Sequence, residues 1–490
     1  MQLDELPAEL YAAIISHLPA DSLQQDVLAL TRVCPRSPVP THSLFEHIRL
    51  KHAQQIVQLY RRLHNATDER KWVKDFGIVT WTVDADVLVN LLEILPSISS
   101  LLLFVGPSFA PEHLEEIFHK PREDLRFLSL RFRPYVNRAT YYQFLKGAYF
   151  DTTLTALSRW PPCELSTLSI VQDPLDPEIS SAQHFAQPLV FFRLDPISVL
   201  LCSAYISSLT RLRLRIPSRQ VSRFISSIPS SVPALRLLDL STCNVLVSDM
   251  EGILIRFHDL QHLILDGCGV ARDQSQASEW NNIGKICATA TVRRAKAREK
   301  VLKTWLERNA ATTSTPAGMP QPAARRIRPG RRGLATATIS FREEPTASEP
   351  DIIHVPAGIV IPKVRVVPSP PTLLSLSTSS AFIPDVQYEA IREDFERGWN
   401  EGLAQLAAVK SRLYQSWKNG VQMMRITADA SGDGYNGLEA IEVEDAFHSG
   451  LDDNASLAPP ILCLAGSGTS GKHIEGCGHN IARDVWNDMI

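Results

Sequence analysis

Cysteine is sparse in this 490-residue chain, and its eight copies are scattered with no CxxC pair among them. That argues against a disulfide framework and for reduced thiols in a cytosolic or nuclear setting. Long hydrophobic runs are missing too. "ISSLLLFVG" and "PISVLLCSAYI" are too short and too interrupted to span a bilayer. The opening residues are acidic and lack a basic n-region, so no secretory leader is expected. Neither charge sign dominates: 50 Lys and Arg oppose 53 Asp and Glu, a net charge of −3. No global field therefore draws the chain to nucleic acid or membrane. No Ser-His-Asp or Cys-His arrangement stands out, so no catalytic residue is assigned and the chain is read as a non-enzyme.

What is present is ordinary globular chemistry, 44 % hydrophobic and 21 % charged, long enough for two or three domains. The 33 prolines exceed the usual share and imply extended stretches. In "LDELPAELYAAIISHLP", Pro7 suits a first helical position and Glu9 complements the helix dipole. Leu10, Tyr11, Ile14, Ile15 and Leu18 then recur at helical spacing. Ala12, Ala13 and Ser16 occupy the other side, where a surface helix usually carries Lys or Glu. Leu23, Val27, Leu30 and Cys34 mark a second helix, followed by a segment around "SLFEHIRL". About fifty residues make a marginal domain, and surplus apolar surface on it calls for a docking partner.

The middle of the chain repeats. "LRLLDLSTCNV" (235–245) and "LQHLILDGCGV" (260–270) share the pattern LxxLxLxxCxV. Related segments open at Val73, Ile98, Leu125, Leu165 and Leu209, with insertions on either side of Leu165. This spacing is that of a leucine-rich repeat, one short strand and one helical return per turn of a solenoid. Strand alternation points the leucines inward and places Arg131, Arg133, Arg211, Arg213 and Arg215 outward, with Asp239 and Asp266 later. Like charges so close need anions. Either surface acids satisfy them or they form a face for an acidic or phosphorylated peptide.

The opening stretch resembles the F-box, and with the repeats the resemblance is to fungal F-box proteins with leucine-rich repeats, over roughly residues 3–270. "PRSPVP" stands where that family usually has a basic-Trp segment. The resemblance implies docking to a Skp-family adaptor and thereby to a cullin-RING ubiquitin ligase, through Leu6, Pro7, Leu10, Ile14, Ile15 and Leu18. It implies that the repeats hold a protein substrate. An interaction scaffold without a ubiquitin-ligase role is the alternative. The expected fold class is α/β: a small all-α F-box followed by an irregular solenoid of parallel strands and helices. The expected divisions are an F-box (1–50), the solenoid (51–270), a basic helical segment (271–310) and a disordered Pro/Arg-rich insert (311–370). A β-α-β capping unit (371–427) and a mostly disordered acidic tail (428–490) follow.

Three segments imitate ligand sites. "GSGTSGK" (466–472) is followed by His473 rather than Ser or Thr, and Gly476 and Gly478 interrupt any following helix. "DASGDGYNGLEA" has Ala440 where a calcium loop needs Glu. Cys463, His473, Cys477 and His479 carry metal donors, but their spacing matches no zinc module. No metal site and no cofactor is assigned. The basic run 293–332 is either a solvated or disordered stretch or a nuclear-import signal or nucleic-acid contact, with nucleic acid the less expected partner, and the expected location is cytoplasmic, nuclear or both.

Overall fold

The computed structural model describes residues 6–18, 22–35, 38–40, 42–106, 108–133, 149–174, 194–226, 232, 234–271, 277–313, 363–379, 383–427, 434–442, 457–465 and 473–486. The chain starts with α1 (Ala8–Ser16), α2 (Leu23–Val33) and the single turn α3 (Ser43–Glu46). Pro7 is the residue before α1 rather than its first member; its carbonyl accepts from Leu10 and Tyr11. Tyr11, Ile15, Leu23, Val27 and Val39 close into a core of their own. Leu44 touches both this core and the main one. Residues 47–50 already belong to the next unit, so the boundary at residue 50 falls just after the first strand of the sheet.

That sheet is built by the repeat. Strands β1 (His47–Leu50), β2 (Asp75–Ile78), β3 (Ser100–Val105), β4 (Phe127–Phe132), β5 (Thr167–Gln172), β6 (Arg211–Arg215), β7 (Leu237–Asp239) and β8 (His262–Ile264) lie in chain order, all parallel. Val73, Ile98, Leu125, Leu165, Leu209, Leu235 and Leu260 each precede a strand by two residues, and all are buried. Helices α4 (Ala53–Asn65), α5 (Ala85–Glu93), α6 (Pro111–Ile117), α7 (Tyr149–Ser158), α8 (Asp195–Leu201), α9 (Ser222–Ser226) and α10 (Val247–Arg256) form a continuous row behind them. Parallel neighbours need such crossovers. Leu101, Leu103, Leu128 and Leu130 face this row, each adding about 1.5–3 kcal/mol by burial.

The cysteines of the repeat secure its turns. The Cys243 thiol donates to the Leu214 carbonyl at 3.2 Å and accepts from the Ile216 amide at 3.3 Å. Cys268 donates to the Leu240 carbonyl at 3.2 Å. Each thiol thus satisfies backbone of the preceding repeat, and burial pushes Cys243 up to about 12.

Beyond β8 two long helices, α11 (Ala277–Thr313) and α12 (Tyr388–Lys418), extend the helical row. Their backbones touch where both chains lack a side chain. A Cβ on Gly284 would sit 2.1 Å from the Phe395 carbonyl oxygen, and one on Gly398 would sit 1.8 Å from that of Asn281. Strands β9 (Val364–Val367), β11 (Gln422–Ile426) and β12 (Leu438–Ala440) make a separate three-stranded sheet, whereas β10 (Ser375–Ser377) and β13 (Ile461–Cys463) continue the main one to ten strands. The β-α-β unit expected over 371–427 is therefore divided, since β10 pairs with β8 and β11 with β9. The tail also differs from expectation: β13 and helix α13 (Gly478–Trp486) are ordered parts of the solenoid end. Their apolar surface is bracketed by acidic and glycine-rich stretches that dominate the composition.

The molecule is thus an α/β solenoid-like layer pair. Among the described residues no helix is long and apolar enough to cross a membrane.

Candidate functional site

The sequence stripe on α1 splits into two faces. Tyr11 and Ile15 are turned into the small N-terminal core, whereas Leu10 and Ile14 are 44 % and 42 % exposed. Leu6 and Leu18 are half-buried at the ends, and Pro7 is exposed. On α2, Leu28 and Val33 are also exposed. Of the six residues implied by the resemblance, Leu10, Ile14 and Pro7 are open, and Ile15 supports them from behind. Scattered apolar residues on a surface are unremarkable; two on consecutive turns of one face, next to alanines, form a ridge.

The open face of the sheet carries the arginines, but they are not one patch. Arg213 is buried, 3.3 Å from the Asp239 carboxylate, with its guanidinium 4.1 Å over the Trp486 ring. Arg215 donates to the same carboxylate at 2.7 and 3.0 Å, and Ser241 donates to its other oxygen at 2.6 and 3.0 Å. Burial opposes ionisation of Asp239, yet Arg215 and Arg213 overcome it and hold the carboxyl down at about 2. The expectation that Arg213 and Arg215 present themselves to a substrate is corrected on this ground. Strand β7 supplies their anion, and α13 lies over the C-terminal part of the face. Leu237 and Ile264, which strand alternation turns outward, pack against Ala482 and Trp486.

Arg211 is exposed at the start of β6. Around the middle of the face, Arg131 pairs with Asp173 at 2.6 Å and lies 5.1 Å over Phe104. Arg133 lies 4.9 Å over Trp81, whose ring is tilted 33° against Phe104 with centroids 4.7 Å apart. Trp81, Phe104, Arg131 and Arg133 are all half-buried, and none of them belongs to the apolar group that packs on α13. Trp81 and Phe104 were not singled out in the sequence; Trp81 lies on a loop, so strand periodicity gives no signal for it.

At the last strand the fold gathers four donors. The ligating atoms of Cys463, His473, Cys477 and His479 all lie within 4.8 Å of one another. Cys463 Sγ is 3.4 Å from His479 Nδ1 and 3.6 Å from His473 Nδ1. His479 Nε2 meets the Asp266 carboxylate at 2.9 and 3.0 Å. Burial opposes the charged forms of both Cys463 and His479. Hydrogen bonds from His479 and His473 nonetheless bring the Cys463 thiol down to about 6, and Asp266 and Cys463 raise His479 to about 9. Spacing alone separated these residues, because one comes from a strand, one from a loop and two from a glycine-bracketed helix start.

The basic run is partly structural. Arg294 donates to the Ile255, Leu254 and Phe257 carbonyls at the end of α10, and burial lowers it to about 10. Arg298 holds the Gly434 and Asn436 carbonyls, and Arg293 pairs with Glu251. The stretch "ARRIRPGRRG", the phosphate-loop imitation at 466–472 and the start of the calcium-loop imitation lie outside the described residues. A scan against protein-family models and a search of curated proteins return no match.

Proposed function

We propose that this chain is the non-catalytic substrate-recognition subunit of an SCF-type ubiquitin ligase. In this reading residues 6–46 are an F-box that docks a Skp-family adaptor, and the following repeats are leucine-rich repeats that hold a protein substrate for ubiquitin transfer by the cullin-RING partners. The observation that carries it is the two-sidedness of α1. Tyr11 and Ile15 stabilise the small unit, while Leu10 and Ile14 lie outside its core and keep apolar surface open for a partner helix. The open face around Trp81, Phe104, Arg131 and Arg133 suits a substrate segment with acidic and apolar residues, because arginines held over aromatic rings are preoriented for carboxylates.

Pull-down of purified Skp-family adaptor and cullin by the full chain tests the reading. Wild type should retain both, and Leu10→Asp/Ile14→Asp should retain neither while melting at the same temperature. Equal recovery by the double variant would remove the basis for the proposal.

A further inference from the structure

We propose that Cys463, His473, Cys477 and His479 form a structural Zn²⁺ site that staples α13 to the last strand of the sheet. Tetrahedral zinc with a sulfur ligand near 2.3 Å and a nitrogen ligand near 2.0–2.1 Å separates those ligand atoms by roughly 3.5 Å. The two sulfur–nitrogen distances at Cys463, 3.4 and 3.6 Å, bracket that value. Two thiolates and two neutral imidazoles balance the ion's charge, so the loaded site is neutral, as its burial requires. On binding, every proton held on the four ligating atoms leaves to solvent.

A second observation points the same way. A zinc-bound histidine commonly gives its other ring nitrogen to a carboxylate, which fixes the ring and its tautomer. His479 presents Nδ1 to the cluster and Nε2 to buried Asp266, 213 residues away in sequence. The backbone is shaped to fit. Gly476 takes φ +75°, which favours glycine. At Gly478 a Cβ would come within 2.9 Å of Ser377 Oγ and 3.1 Å of Ile264, so only glycine lets the helix start sit this close to the sheet.

Four protein ligands fill a tetrahedron and leave no open position, which assigns the ion a structural role. Its effect is on α13. Nine residues are too few for a stable free helix, yet this helix covers Leu237 and Ile264 and seats Trp486 over Arg213. The metal joins its first turn to β13 and, through Asp266, to the turn after β8.

The test uses the full chain purified under reductant, stripped with a chelator and titrated with Co²⁺. Wild type should take up about one ion per chain with the visible bands of tetrahedral cobalt and a thiolate charge-transfer band. Cys463→Ser/Cys477→Ser should show neither. Asp266→Asn should keep the spectrum and bind roughly 10–100-fold more weakly. Hydrogen exchange in 478–486 should rise on stripping and fall again with Zn²⁺, while β3 and β4 stay protected. A fully reduced wild type that gives no cobalt spectrum would overturn the site, as would a Cys463–Cys477 disulfide in its place. Metal uptake without change in α13 exchange would overturn the staple.

Discussion

Asp239 shows how one buried side chain organises the C-terminal half of the sheet face. It is fully enclosed, accepts from Arg215 and Ser241, and forms an ion pair with Arg213. Asp239→Asn leaves two arginine charges poorly compensated, one of them buried, and should cost about 3–5 kcal/mol of unfolding free energy at neutral pH. The pH sign follows from a depressed carboxylate. Its contribution is complete above the ordinary value near 3.8 and is lost as pH falls towards about 2. The gap between wild type and Asp239→Asn in chemical denaturation should therefore be constant from pH 7 to about 4.5 and narrow below about 4. A gap unchanged at pH 2.5 would contradict the ion-pair account. The outward direction of Arg213 and Asp239 was legible from strand alternation. Their enclosure was not, because Trp486 arrives from the far end of the chain.

At the scale of elements, α1 and α13 are opposites. The first keeps an apolar face uncovered; the second covers one. Tyr11→Ala/Ile15→Ala should unfold the N-terminal unit, with each large-to-small change costing about 2–5 kcal/mol. Leu10→Asp/Ile14→Asp should leave its melting unchanged, as circular dichroism and proteolysis of residues 1–46 would reveal. Trp486→Ala should destabilise by about 3–5 kcal/mol and raise exchange in β7 and β8. No change in either would mean that α13 is a loose appendage. The strands β2 to β8 were legible because the repeat places a buried Leu, Ile or Val two residues before each one. The tail's strand and helix were hidden, since three residues of β13 and nine of α13 are too short to outweigh their surroundings. Likewise β9 and β11 pair across α12, a long-range choice that local patterns do not encode.

At the scale of the whole molecule, the described residues form a parallel ten-stranded layer backed by helices, and a smaller three-stranded sheet, with a helical unit at the layer's first edge and a Cys/His cluster at its last. The metal donors could be named from sequence, but spacing rules fail when a strand, a loop and a helix supply ligands to one point. The N-terminal unit adjoins β1, and the aromatic and arginine group lies a few strands further on, at β3 and β4 and the loop after β2. The ridge on α1 is therefore separable from the aromatic and arginine group at Trp81, Phe104, Arg131 and Arg133. The most direct measurement is a calorimetric titration of purified Skp-family adaptor into the full chain and into its Leu10→Asp/Ile14→Asp variant, both verified as folded. The account predicts saturable binding by wild type and a loss of at least about 10-fold in the variant, since covering the remaining exposed part of each residue contributes about 0.7–1.3 kcal/mol. Equal affinities, or no binding by wild type, would contradict it.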